Sequence, residues 1–453
     1  MTHDDEANRL SARATRYARL GVNAGALAAG VGVNRLRGGG RATDAKALAS
    51  ALGSLKGPLM KVAQMLSTIP DVLPADFAAE LMRLQSQAPP MGAAFVRRRM
   101  QAELGPDWRE RFDDFDFKPA AAASLGQVHR ATSLSGEKLA CKLQYPDMSS
   151  AVETDLANLD LLFSLRRRAG APIDTREIAR EIRERVREEL DYRHEARIGR
   201  LYRVMLVDRP FVRVPRVEES LSTLRLLTLQ WLDGEPLVAF EGATQAARDA
   251  IAVGLFEAWW RPFLRYGVIH GDPHLGNYTV AATGEGAARR VEGLNLFDYG
   301  CVRIFPPRFV RGVVELYQAL KANDKARIAE AYEMWGFRGL TPGTTEAMTL
   351  WARFMCAPIL DDRVRTAADG VKPSEYGRRE MGQVMRALKA EGGGLVAPRE
   401  FVFLERATIG LGGAFLRLGA RLNFHRMYED AIAGFDEAEV ARRQAGALAA
   451  VGL

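Results

Sequence analysis

The chain has 453 residues, of which 47% are hydrophobic and 26% charged. It is therefore an ordinary globular sequence, long enough for two lobes that each bury a core. Its net charge of +7 suits anionic lipid, phosphorylated ligands or nucleic acid without choosing among them, but no nucleic-acid motif accompanies the charge, so that role is excluded. The three cysteines, Cys141, Cys301 and Cys356, are far apart and show no metal or disulfide spacing, which points to a reducing, cytoplasmic compartment.

In chain order, the N-terminus MTHDDEANRL is too polar for a secretory signal. Residues 20–33, LGVNAGALAAGVGV, are apolar but too short to span a bilayer. Arg13, Arg16 and Arg19 precede them and Arg35, Arg37 and Arg41 follow, so a helix lying at the inner face of an anionic membrane is one reading. A small-residue helix packed on the protein is the other. Helices are predicted over about 44–67, 75–87 and 93–104, each stopped by Gly or Pro. Two short strands around Ser135-Gly136 are predicted within 111–145. Helices follow over about 148–168 and 175–206, the second opening at a capping box with Asp174 as its cap. Extended chain returns at 211–232 and a helix at 243–266. A loop-rich stretch then runs to Pro307, and the remainder is helical. The expected organisation is a basic segment (1–43), a helical extension (44–106), a smaller α+β lobe (107–234) and a helical lobe (235–453).

The sharpest chemical signal is His270-Gly271-Asp272-Pro273-His274-Leu275-Gly276-Asn277, with Leu296-Phe297-Asp298-Tyr299-Gly300 downstream. An Asp with an Asn five positions on, then a strand ending in Asp-aromatic-Gly, is the base-and-metal spacing of kinase-like phosphotransferases. Mg²⁺ requires hard oxygen ligands, which Asn277 and Asp298 offer as an amide oxygen and a carboxylate. Asp272 then stands beside the attacking hydroxyl or water as base or orienting group. A polar turn is the plainer alternative for HGDPHLGN, the lesser one even when the motif is read alone and weaker still with the DYG box at the right distance. His270 and His274 read as structural, because no further ligand lies near them. Lys142 ends a strand, where kinase folds place the lysine that contacts phosphates, although a lone strand lysine is more often just solvated. Glu195, on the acidic stretch EELDYRHE, is its natural ion-pair partner. Asp191 and Glu195 are four apart and share a helical face, whereas Glu189 and Asp191 diverge. The run from Ala120 to Gln127, AAAASLGQ, is a small-residue loop whose backbone N–H groups at Ala121, Ala122, Ala123 and Ser124 could cradle an anion. A poly-Ala helical turn is the plainer reading.

Taken together, AAAASLGQVHRA, ACKLQYP, EELDYRHEA, HGDPHLGN and LFDYG resemble, in order, the UbiB family of atypical protein-kinase-like ATPases (AarF-type). Lys61-Val62-Ala63-Gln64 is similar to that family's KxGQ signature. The resemblance spans roughly residues 50–430. It implies an α+β, protein-kinase-like two-lobed fold, predominantly helical, with an additional N-terminal KxGQ element. It also implies that Lys61 and Gln64 reach the nucleotide and the pair Glu189 and Asp191, and that the strand around Gln230 and Leu232 binds adenine through its backbone. The implied cofactors are ATP and Mg²⁺, and the implied role is support of ubiquinone biosynthesis with an anionic membrane surface, quinone-like lipids and quinone-biosynthesis proteins as partners. The chain departs from the family pattern at Ala63, Cys141, Leu275 and Tyr299, none of which removes a charged group. A nucleotide- and lipid-binding pseudokinase scaffold and a small-molecule phosphotransferase are the alternatives.

Overall fold

The computed structural model describes residues 91–146 without 124, residues 148 and 184, residues 187–368 without 273 and 285–288, scattered positions from 382 to 391, and residues 398–453. The basic N-terminal segment, the KxGQ residues, the helices expected over 44–67, 75–87 and 148–168, and the cap at Asp174 lie outside the described residues. Two compact units emerge: the described residues up to His194 with Val217–Trp231, and Glu195–Arg216 with Leu232–Leu453.

In the first unit, α1 (Ala93–Leu104) stops where Gly105 takes a φ of 94°, a conformation that glycine adopts without penalty. Three antiparallel strands follow, β1 (Phe112–Ala123), β2 (Gly126–Ser133) and β3 (Lys138–Gln144). With β5 (Leu226–Gln230) they form one sheet in the order β1-β2-β3-β5. The two-strand reading of 111–145 is thus corrected to three. Strand β1 hides from a period-two reading because its register shifts repeatedly between Phe112 and Ala121, and each shift resets which side chains face inward. The Ala120–Ala123 run is the end of this strand, neither a helical turn nor an open loop. The core is built by Leu139, Cys141 and Leu143, buried at alternate positions of β3, against Val96 and Met100 of α1. Trp108 closes it, packed edge-on against Phe112 and Phe115 at 6.2 and 5.2 Å. Each such side chain contributes about 1.5–3 kcal/mol by leaving water.

The helix predicted over 175–206 is corrected too. Residues 189 and 190 form a turn, and the next helix, α2, begins at Tyr192 and ends at Met205. The break has a local cause: the Asp191 carboxylate accepts from Arg193 N at 2.9 Å and His194 N at 3.1 Å. A short acidic side chain gains more by capping a new helix than by continuing an old one. Asp191 and Glu195 therefore do not share a helical face.

The second unit is organised around α3 (Gln245–Tyr266), whose Ile251, Leu255, Trp259 and Phe263 are spaced one helical turn apart and almost wholly buried. Thr244 caps its start, and Gly267 ends it at φ 64°. A Cβ there would meet Phe305 O and Gln444 Nε2 at 2.7 Å, so the chain turns where only glycine fits. The stretch expected to be loops holds four strands: β7 (Val268–His270), β8 (Tyr278–Thr283), β9 (Arg290–Leu296) and β10 (Val302–Ile304). Strand β9 lies between β8 and a parallel β4 (Val212–Arg213), and β6 (Glu235–Pro236) flanks β8. Strand β7 pairs with β10. Segments of two or three residues, such as β7 and β10, are too short to show periodicity. Helices α4 (Pro307–Ala322), α5 (Lys325–Trp335), α6 (Pro342–Leu360), α7 (Arg399–Leu418), α8 (Phe424–Ile432) and α9 (Glu437–Val451) complete the unit.

Candidate active site

In the second unit, short strands bring the two chemical motifs together. His270 ends β7 opposite Val302 of β10, and Gly271 N donates to Cys301 O at 3.1 Å. At the far end of the loop, Phe297 N donates to Asn277 O at 2.9 Å. Backbone bonds thus lace the HGDPHLGN loop to the DYG segment at both ends, and Asp298 lies one residue beyond the second bond. Gly271 is required by the closeness of the first, since a Cβ there would strike the Cys301 carbonyl.

Asp272 is buried at 6% exposure and Asn277 at 9%. The Asn277 amide nitrogen donates to Asp272 Oδ2 at 3.1 Å. That bond uses the nitrogen and leaves the amide oxygen as the atom a hard cation takes. Asp298 holds a left-handed backbone at φ 57°, and its Oδ1 accepts from Gly300 N at 3.2 Å. Among the described residues no three His, Cys, Asp or Glu converge on a point. One amide oxygen and one carboxylate instead suit Mg²⁺, which keeps water and phosphate oxygens in its remaining positions. The residues fit the ion that the spacing implies.

Behind the loop, His270 donates from Nε2 to Asp298 O at 2.7 Å, so it supports the loop backbone. The Tyr299 hydroxyl, in place of an apolar ring edge, donates to Leu296 O at 2.6 Å. Tyr202 and Tyr299 pack at 5.3 Å, and Trp259 Nε1 donates to the Tyr278 hydroxyl at 2.7 Å. Burial pushes the phenols of Tyr202, Tyr278 and Tyr299 upward, so all three stay neutral. Glu195, 5% exposed, belongs to this unit, and its charge also raises Tyr299. Leu232 opens the unit's second segment.

The first unit holds the other residues singled out by the sequence. Ala121, Ala122 and Ala123 end β1, paired with Val128, Gln127 and Gly126. Ser124, like Lys61 and Gln64, lies outside the described residues. Lys142 pairs with Val128 and Leu227 across β3, and its ammonium sits 5.1 Å from the Tyr192 ring centre. Gln230 ends β5 opposite Leu139, and Trp231 N donates to Lys138 O. Glu189 is buried in the turn that Asp191 closes by capping α2. The pairing of Lys142 with Glu195 rests on the sequence.

Gln127 and His129, both within 1% of complete burial, escaped the sequence reading. They stand in the GQVHRA strand as two polar residues of the same parity, which was the available signal for a buried polar face.

The family model of the ABC1 atypical kinase-like domain matches residues 83–332. The chain is 30% identical over 288 residues to the chloroplastic protein ACTIVITY OF BC1 COMPLEX KINASE 8 of Arabidopsis thaliana, which covers 62% of this chain and 37% of that one. It is 30% identical over 299 residues to the mitochondrial atypical kinase coq-8 of Caenorhabditis elegans, covering 65% and 39%. The matched stretch thus spans well under half of these relatives. A solved structure, the complex of Rv3197 with erythromycin from Mycobacterium tuberculosis, superposes with a TM-score of 0.60 at 26% identity, over 87% of this chain and 96% of that one.

Proposed function

The chain belongs to the ABC1 atypical kinase-like family, and from that premise we propose that it is an ATP-binding atypical kinase or ATPase supporting ubiquinone biosynthesis at a membrane surface. The observation that carries the phosphoryl-transfer reading is the Asn277–Asp272 hydrogen bond beside Asp298. It occupies the amide nitrogen of Asn277, which supports a metal role for the amide oxygen, and it holds a buried carboxylate against that amide.

In this reading Asn277 and Asp298 hold Mg²⁺, and the ion supplies charge neutralisation on the phosphates when bound. Asp272 orients the attacking hydroxyl or water and takes its proton. Lys142, kept in place by Glu195, contacts the phosphates. The backbone N–H groups of Ala121, Ala122, Ala123 and Ser124 approach the same phosphates, and the backbone of Gln230 and Leu232 reads adenine. Lys61 and Gln64 act on the nucleotide together with Glu189 and Asp191. Quinone-like lipids, quinone-biosynthesis proteins and an anionic membrane surface are the partners. No helix among the described residues is long and apolar enough to cross a membrane.

A second reading, a phosphotransferase with a small-molecule acceptor, is favoured by one finding: the Mycobacterium tuberculosis relative was solved with erythromycin.

The test is Mg²⁺-dependent ATP hydrolysis by the purified chain, alone, with anionic liposomes and with erythromycin. Liposome-stimulated turnover that falls by roughly 10²- to 10⁴-fold in Asp272→Asn is expected. Phosphate appearing on the macrolide selects the second reading. Nucleotide binding without turnover in every condition would overturn both in favour of a scaffold.

A further inference from the structure

The β1–β2 hairpin is tied to the rest of its unit by a buried polar chain. Gln127 faces Ala122 across the hairpin, in register with the run whose backbone is proposed to meet phosphate. Its side chain clasps both backbone polar groups of Met91: Oε1 accepts from Met91 N at 2.8 Å, and Nε2 donates to Met91 O at 3.3 Å. The same Nε2 lies 2.8 Å from His129 Nε2. On the other side of the imidazole, Nδ1 lies 2.9 Å from Asp116 O. A carbonyl only accepts, so Nδ1 carries the proton and Nε2 takes the hydrogen of Gln127. The chain therefore runs from Met91 through Gln127 and His129 to Asp116, and each atom along it has one compatible role.

The link spans distant segments. Met91 precedes α1 and is where residues 44–90, bearing the KxGQ signature, join the described fold. Asp116 lies in β1 within the register shift between Phe115 and Pro119, ahead of the alanine run. Gln127 and His129 sit on β2 between them. At 1% and 0% exposure, both side chains are out of reach of bulk solvent, so an unmatched polar atom at such a position is costly.

Resting on the nucleotide-binding reading, we propose that Gln127 and His129 are positioning residues that hold the Ala121–Ala123 strand end at the height needed for its backbone to meet phosphate. They touch neither nucleotide nor metal; they act through the hairpin. The relay works only with a neutral imidazole. Burial lowers the His129 pKa, opposed by the Asp116 carbonyl and carboxylate. Its ring stacks on Phe115 at 5.5 Å, and across the sheet it faces Pro119 on β1 and Cys141 on β3; burial pushes the Cys141 thiol up to about 12 and so keeps it uncharged.

The test compares wild type with Gln127→Ala and Gln127→Glu in Mg·ATP binding by calorimetry from pH 5.5 to 8.5, with thermal melting of each protein without nucleotide. In wild type the relay is intact above the lowered His129 pKa and is lost only as pH falls through it. In Gln127→Glu the new carboxylate cannot donate to Nε2, so the relay re-forms only when His129 is protonated. Affinity in that variant is then highest at low pH and falls as pH rises through a raised imidazole pKa, opposite in sign to wild type. Gln127→Ala weakens binding by about tenfold where the wild-type relay is intact, the size of one lost buried hydrogen bond, and the gap narrows as pH falls through the His129 pKa. A Gln127→Glu profile parallel to wild type, or affinities unchanged in both variants, overturns the positioning role. Wild type that binds no Mg·ATP overturns instead the nucleotide reading beneath it.

Discussion

Asp298 is one of two non-glycine residues with a left-handed backbone among the described residues, and the other, Asn323, ends α4. Such a conformation costs a side-chain-bearing residue about 1–3 kcal/mol and tends to persist where function needs it. Here the support is visible: His270 bonds the Asp298 carbonyl and Gly300 N bonds its carboxylate. Asn tolerates this backbone about as well as Asp, so Asp298→Asn removes charge without refolding the loop. Its expected effect is loss of Mg²⁺-dependent nucleotide binding by more than the ~10–100-fold that follows removal of an outer-shell partner. Melting close to that of wild type should accompany the loss, and retained Mg·ATP affinity would end the metal assignment. This residue was legible from the spacing of HGDPHLGN and LFDYG. The Tyr299 hydroxyl bond to Leu296 O was not, because a tyrosine in sequence reads as an aromatic ring whatever its oxygen does.

Among the elements, strength of local signal decided what could be read. Helix α1 fell where expected over 93–104 because Gly105 and Pro106 stop it. Helix α3 likewise had a full set of apolar turns and a Thr cap. The break at Asp191 was missed, since a helix-compatible sequence does not reveal that its aspartate bonds two backbone N–H groups. Helices α4 and α8 are joined by a polar tie. The Glu429 carboxylate accepts from Lys321 Nζ at 2.7 Å and from the Tyr317 hydroxyl at 2.5 Å. Those bonds, Lys321 first, hold its carboxyl below the ordinary 4.5. A depressed carboxyl stabilises the fold above its unfolded pKa, and the contribution is lost as pH falls through the lower folded value. Glu429→Gln is therefore expected to be less stable than wild type at pH 7 and equal to it in acid, below the folded pKa. Urea midpoints across pH measure this, and a gap that does not narrow on acidification contradicts it.

For the molecule as a whole, each unit has its own core, and ligand binding is read out as stability. A ligand that binds only the folded state adds about 2.7 kcal/mol at a hundred times its Kd. Mg·ATP at that excess is expected to raise the unfolding free energy of wild type by this amount, and ATP with EDTA by much less. Equal shifts with and without Mg²⁺ would contradict metal-linked binding.

The sequence by itself determined the family and the order of the chemical motifs, and it named the candidates for base and metal ligands. Those depend on residue type and spacing along the chain, which no folding alters. Only the tertiary structure decided that the alanine run is a strand end and that β7 to β10 lace the two motifs together. It alone showed that Gln127 and His129 form one buried relay with Met91. Each of these is a pairing between residues distant in sequence, and a hydrogen bond acquires its partner only when the chain has closed around it.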